Sequence, residues 1–254
     1  MVVVRAEPTT TGLAAGRVAP VVDGPAARIG AWARRRVART LVAQHLELTV
    51  AGQELVPASG PAIVAARHYH HLYDAAAVMA TLPREVHILV ALDWLDAGWP
   101  LYAMRWLTRA AQWPAVWRGG AGRPAPLDAW RLNARALADS VALLRAGGLL
   151  LVFPEGYPVV DPAGSRQPAV APFLPMQSGV VALALRAQRA GGTPVPIVPA
   201  GFWYEPLGPG RWRVALRFGT PVRASARAER AAALAAIESS VRGLSGPPPR
   251  QTRH

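Results

Sequence analysis

Four short runs in which nearly every residue is apolar constrain this chain more than anything else in it: AIVAA (62–66), VHILVAL (86–92), LLLVF (149–153) and VPIVPAGF (195–202). A strand with one wet face alternates apolar and polar residues. An uninterrupted apolar run of this length belongs to a strand covered on both faces, the habit of parallel sheets. Between the runs lie stretches with apolar residues at helical spacing: DAWRLNARALADSVALLRAGG, SGVVALALRAQRAGG and SARAERAAALAAIESSVRGL. Asp128 stands at the predicted N-cap of the first, and Gly147-Gly148 at its stop. LELTVAGQEL reads as an alternating strand that turns at Ala51-Gly52, WRVALRFGTPV as a further strand, QWPAVWR as a strand ending at Arg118, and 119–127 as a loop. The alternation predicts a single α/β domain with a mostly parallel central sheet flanked by helices. No repeat or internal boundary divides residues 25–244; residues 1–24 read as a flexible arm and 245–254 as a disordered tail.

Composition excludes several classes. No cysteine is present among 254 residues, which removes disulfides, thiolate metal sites and a cysteine nucleophile together. All 28 cationic residues are arginine, and the net charge of +13 favours anionic partners such as lipid headgroups or acidic carrier proteins. Nucleic acid is not expected, because the aromatics sit in apolar surroundings and no recognition motif occurs. No apolar run is long enough to span a bilayer, and the first residues lack the order of a signal peptide.

From Pro25 to His45, Ile29, Trp32, Ala33, Val37, Leu41 and Val42 recur at helical spacing among Arg34, Arg35, Arg36 and Arg39. This N-terminal amphipathic helix suits an anionic membrane surface, and equally a core helix with an arginine-rich outer face. Trp94, Trp99 and Trp106, with Leu95, Leu101, Met104 and Leu107, read first as core and second as an acyl-chain groove or interfacial surface.

At the carboxyl end of the first apolar run stands RHYHHLYD, with His68, His70 and His71 followed by Asp74 at the start of a helix. Strand ends are where open α/β sheets gather ligands. Three readings are open. The cluster could hold a metal, although the remaining histidines (His45, His87, His254) are poorly placed to complete it. One imidazole could be a general base oriented by Asp74. Or the histidines could be turn residues with satisfied hydrogen bonds.

GPAIVAARHYHHLYD, WPAVWR, LLLVFPEG and VPIVPAGF occur in this order and together resemble the four blocks of the PlsC-like glycerolipid acyltransferases, over roughly residues 25–240. The resemblance implies transfer of a fatty acyl group from a thioester, on coenzyme A or acyl carrier protein, to a hydroxyl of a lipid acceptor such as a lysophospholipid. It implies no cofactor, and a cytoplasmic protein peripheral on the inner face of the cell membrane. On the family pattern His68 matches the motif histidine, Asp74 the aspartate, Arg118 an arginine that helps bind the acceptor's phosphate, and Phe153, Pro154, Glu155 and Gly156 the third block. Arg118 and Glu155 would then position the acceptor, and turn amides near Phe153-Gly156 would meet the carbonyl oxygen.

Two departures from the pattern stand out. The spacing is His-x5-Asp, one residue longer than the family's, so that His71 or His70 could face Asp74 instead. Tyr157-Pro158 occupies the place of Thr-Arg, which removes a phosphate partner. The alternatives are a metal-dependent hydrolase built on His68, His70, His71 and Asp74, and a non-catalytic lipid-binding relative.

Overall fold

In this computed structural model, residues 24–93, 95, 98–118, 128–160 and 173–247 are described. Most of the expected arm, the 119–127 loop, Trp94 and the end of the expected tail lie outside them.

The apolar runs pair with one another. A six-stranded sheet has the order β1 (Leu46–Ala51), β8 (Arg211–Phe218), β7 (Ile197–Gly208), β2 (Ala62–Ala66), β6 (Leu149–Val152), β3 (Val86–Ile88). β7, β2, β6 and β3 run parallel, and β8 returns antiparallel from β7 and takes β1 alongside in parallel. The period of two divides the side chains between two cores. Ala62, Val64, Ala66, Leu149, Leu151, Val198, Ala200, Phe202 and Tyr204 point to one face, where α2 (Tyr73–Thr81) packs with α1 (Pro25–His45) beyond it. Ile63, Ala65, Leu150, Val152 and Ile197 point to the other, under α4 (Ala129–Arg145), α5 (Gly179–Gly191) and α6 (Arg230–Leu244). All five β2 side chains are buried, as an apolar run requires.

Several expectations change in detail. VHILVAL is not one strand. β3 ends at Ile88, and Val90–Ala91 forms β4, which pairs in parallel with β5 (Ala115–Val116) in a separate two-stranded sheet. The amide of Leu89 still donates to the Leu151 carbonyl at 3.0 Å, whereas that of Val90 donates to Pro114 at 2.9 Å, so the chain changes partners within two residues. QWPAVWR therefore contributes two strand residues, outside the main sheet. Asp128 holds the N-cap position of α4 but makes no side-chain cap there. Ordered chain continues past Leu244: Ser245 is buried, and Arg217 Nη1 donates to the carbonyls of Leu244 and Gly246 at 2.8 and 2.7 Å.

α3 (Trp99–Ala110) corrects the reading of its tryptophans as core. Trp99 is 80% exposed and Trp106 71%, with Tyr102 beside them at 72%. On α1, Ile29, Trp32 and Val37 are exposed as well, and the helix buries only Ala38 fully. Among the described residues, no helix is long and apolar enough to cross a membrane.

The contact of β7 with α6 is close enough to forbid a side chain at Gly201, where a Cβ would fall 2.4 Å from the Leu244 carbonyl carbon. Gly201→Ala is expected to lower the unfolding free energy by about 1–3 kcal/mol, as overpacking does, with the loss read as a reduced denaturation midpoint at unchanged slope.

Candidate functional site

Residues at the carboxyl end of β6 and just past that of β2, among them Val152, Phe153, His68 and His71, line one cavity. Asp74, in the first turn of α2, is fully buried, yet its two oxygens accept four hydrogen bonds. Oδ2 accepts from His68 Nδ1 at 3.1 Å, from the Tyr69 amide at 2.6 Å and from the His70 amide at 2.9 Å; Oδ1 accepts from the Tyr204 hydroxyl at 2.6 Å. A carboxylate accepts and does not donate, so His68 Nδ1 carries a proton, and in the neutral tautomer this leaves the lone pair on Nε2. The His68 ring also stacks on Phe153, with centroids 4.1 Å apart and planes at 17°. Two independent contacts thus fix one imidazole.

The other two histidines point elsewhere. α2 begins at Tyr73, so His70 and His71 precede its helical repeat and do not face Asp74 across a turn. His71 Nδ1 approaches the Val160 carbonyl at 3.3 Å. His70 is buried, and its Nδ1 accepts the amides of Leu72 and Tyr73 at 3.3 and 3.4 Å, closing the start of the helix. Burial, reinforced by His71 and opposed by Asp74, lowers its pKa from 6.5 to about 4. Backbone pairing of Val159 and Val160 with His68, Tyr69 and His71 holds the segment flat. Here Tyr69 and His70 turn their amides onto Asp74. Among the described residues no three histidine, aspartate or glutamate side chains are grouped to hold a metal ion.

The Phe153–Gly156 turn forms the neighbouring wall. The Gly156 amide donates to the Phe153 carbonyl at 3.0 Å, and Gly156 has φ 82°, which favours glycine. That amide is therefore engaged within the turn. Glu155 is buried behind the turn, away from the cavity; it accepts the Leu174 amide at 3.2 Å and lies beside Arg67. Burial raises its pKa, against the pull of that amide and of the Arg67 charge. Arg118 lies in the cavity wall, but its Nε donates to Asp93 at 2.8 and 3.1 Å, its Nη1 donates to the Gly156 carbonyl, and its guanidinium lies 4.2 Å from the Tyr157 ring centroid. The β4–β5 register carried forward two residues sets Asp93 opposite Arg118. From α4, Asn133 clamps the Trp117 backbone, accepting its amide at 2.7 Å and donating to its carbonyl at 2.8 Å.

The cavity measures about 710 Å³ and runs from His68 and Arg118 between α1, α2 and α3, past Val37, Leu41, Met79, Met104, Leu107 and Trp113. Met104 and Leu107 thus line a groove, while Trp99 and Trp106 of the same helix face outward. Two participants escaped the sequence reading. Tyr204 continues the alternation of Val198, Ala200 and Phe202 along β7, a signal that places it on the Asp74 face. Asp93 follows the break between β3 and β4, and no sequence pattern marks that break.

A family model described as Acyltransferase matches residues 47–203, more than half of the chain. In fold the chain is similar to the crystal structure of the 1-acyl-sn-glycerophosphate acyltransferase PlsC from Thermotoga maritima, with TM-score 0.55 and 19% identity over 88% of this chain and 81% of that one. No curated protein sequence matches it.

Acid should destabilise this site. Between pH 6.5 and about 4 the unfolded chain carries a proton on His70 that the folded chain lacks, so stability declines as pH falls through that window. Buried His87, also shifted down, acts in the same direction. His70→Asn keeps an acceptor for the helix amides and is expected to flatten part of the fall, measured as melting temperature against pH.

Proposed function

Since the chain belongs to the acyltransferase family, we propose that it moves a fatty acyl group from the thioester of acyl-CoA or acyl carrier protein to the hydroxyl of a glycerolipid acceptor, with His68 as general base. The observation that carries this reading is the Tyr204–Asp74–His68 chain, at one end of a long apolar cavity. His68 Nε2 takes the acceptor's hydroxyl proton as the oxygen attacks the thioester carbonyl. The tetrahedral intermediate collapses with loss of the thiolate, and the imidazolium returns the proton to the leaving sulfur. Asp74 holds the ring's tautomer and stabilises the transient imidazolium, and Tyr204 holds Asp74. The Tyr204 hydroxyl stays protonated for this task, since burial and then Asp74 raise its pKa well above the ordinary value. Phe153 fixes the plane of the imidazole, and the turn it begins supplies the wall against which the ester carbonyl lies.

The acyl chain occupies the cavity between α1, α2 and α3, whose lining suits an alkyl group and not a charged one. Its walls share helices with the exposed aromatic surface: Val37 lines the cavity and is exposed, and Trp99, Tyr102 and Trp106 lie on the helix that supplies Met104 and Leu107. Tryptophan and tyrosine settle at a bilayer interface, and a charge of +13 favours an anionic leaflet. This supports a peripheral enzyme on the inner face of the membrane that draws its lipid substrates sideways into the cavity. Residues 25–244 would form the acyltransferase unit.

Thiol release from acyl-CoA, followed with a lysolipid panel, tests the base. His68→Ala is expected to lower kcat by about 10²–10⁴-fold, the usual worth of a general base. His71→Ala should leave turnover close to the parent's, since its ring contacts a backbone carbonyl instead of Asp74. Tyr204→Phe leaves Asp74 Oδ1 without its phenol donor and is expected to cost about 1–3 kcal/mol of stability, together with a fall in kcat at unchanged KM. Loss of turnover in His71→Ala with full activity in His68→Ala would overturn the assignment.

A further inference from the structure

We infer that the acceptor presents its hydroxyl on a headgroup without a phosphomonoester, a narrowing that rests on the acyl-transfer reading of the same cavity. The inference comes from the charge inventory of the wall. Among the described residues, the only guanidinium groups lining the cavity are Arg34 and Arg118. Each is already matched. Arg34 Nη2 meets Glu85 at 2.5 Å, and Arg118 Nε meets both oxygens of Asp93. Arg118 is restrained further, with Nη1 on the Gly156 carbonyl and Tyr157 against its face. A guanidinium binds phosphate well because its planar fork offers parallel donors and an uncompensated charge. Here one edge of that fork is engaged by protein oxygens and the charge is balanced.

A phosphomonoester carries close to two negative charges at neutral pH. In a glycerolipid it lies only a few bonds from the acceptor hydroxyl, so it would have to enter the apolar space beside His68 together with that hydroxyl. A charge taken from water into such a space is costly unless a counter-charge waits for it. Moving Arg118 to supply one would leave Asp93, itself buried, without this partner. The turn contributes no replacement, since Pro158 in the cavity wall is apolar and Glu155 faces inward. Other arginines lie instead on the side of α3 that faces α4. There Arg105, Arg109 and Arg131 line a separate cleft of about 530 Å³. The site therefore suits a neutral hydroxyl lipid such as a monoacylglycerol, or one whose phosphate is esterified and balanced within a zwitterion.

The deciding experiment presents 1-acylglycerol, lysophosphatidylethanolamine and 1-acylglycerol 3-phosphate at equal mole fraction in vesicles, with acyl-CoA and acyl carrier protein as alternative donors. Thiol release and diacyl product are both measured. The expected result is a kcat/KM for a neutral or zwitterionic acceptor at least about tenfold above that for the phosphomonoester. Pro158→Arg, which adds a cation to the wall, should narrow that gap. Asp93→Asn, which uncovers the charge of Arg118, is a second route to the same shift if the first variant does not fold. A parent enzyme that prefers the phosphomonoester would overturn the inference and leave acyl transfer standing. A gap unmoved in both folded variants would overturn its electrostatic cause. No thiol release with any acceptor would remove the acyl-transfer reading and this narrowing with it.

Discussion

A carboxylate with no exposure to water must find every hydrogen bond it needs inside the protein, and the candidate site is arranged around Asp74 meeting that demand. Its donors come from separate parts of the chain. Two are amides of the segment that follows β2, one is the imidazole on that segment, and one is a phenol from β7, the strand next to β2 in the sheet. Satisfying the first two bends the segment around the carboxylate. Satisfying the last ties the bend to the sheet. Once both are met, His68 has little freedom: Asp74 fixes one ring nitrogen and Phe153 fixes the plane. The geometry of His68 is thus a by-product of keeping a buried carboxylate hydrogen-bonded by protein.

Arg67 and Glu155 extend the same logic to the next layer. Arg67 is buried directly before His68, and Glu155 is buried directly after the Phe153-Pro154 pair. Their charges offset one another, and the Arg67 guanidinium lies 4.2 Å from the Phe173 ring centroid. On the cavity side, Asp93 and Arg118 join the small sheet to the Gly156 carbonyl. Glu155, Asp93 and Arg118 thus each help to join one backbone segment to another. Removing one member of such a pair strands the other in a dry place, which costs more than the pair itself contributes.

How much of this could be read from the chain follows from which forces are local. The main strands were legible because burial on both faces writes itself as an apolar run, and α2, α4, α5 and α6 because a covered stripe repeats every three to four residues. The placement of RHYHHLYD at a strand end followed from the same patterns. The family pattern put His68 first and left His71 and His70 as alternatives, because which ring faces Asp74 depends on where the helix begins. A start at Tyr73 leaves His70 capping amides and His71 facing a carbonyl, and no propensity marks that residue over its neighbours. The division of VHILVAL was hidden for a related reason: Val90 leaves β6 for Pro114, a partner twenty-four residues on, and both strands are equally apolar. The α3 tryptophans were misread because helical spacing specifies a face without saying what covers it.

That uncovered face bears on why the cavity lies where it does. Burying apolar surface is the main favourable term in folding, so leaving Trp99, Tyr102, Trp106, Ile29, Trp32 and Val37 in water forgoes stabilisation on the order of 25 cal/mol for each Å² left exposed. The same two helices supply Val37, Leu41, Met104 and Leu107 to the cavity wall. Under the proposed function, a helix whose inner residues contact an alkyl chain and whose outer residues rest on a lipid surface has no aqueous face to fill with charge along that side. Of the arginines on these helices, Arg105 and Arg109 line the separate cleft, and Arg34, which does reach the cavity wall, is paired with Glu85. Placed this way, α1 and α3 carry apolar side chains both on their exposed faces and in the wall of the cavity that holds His68.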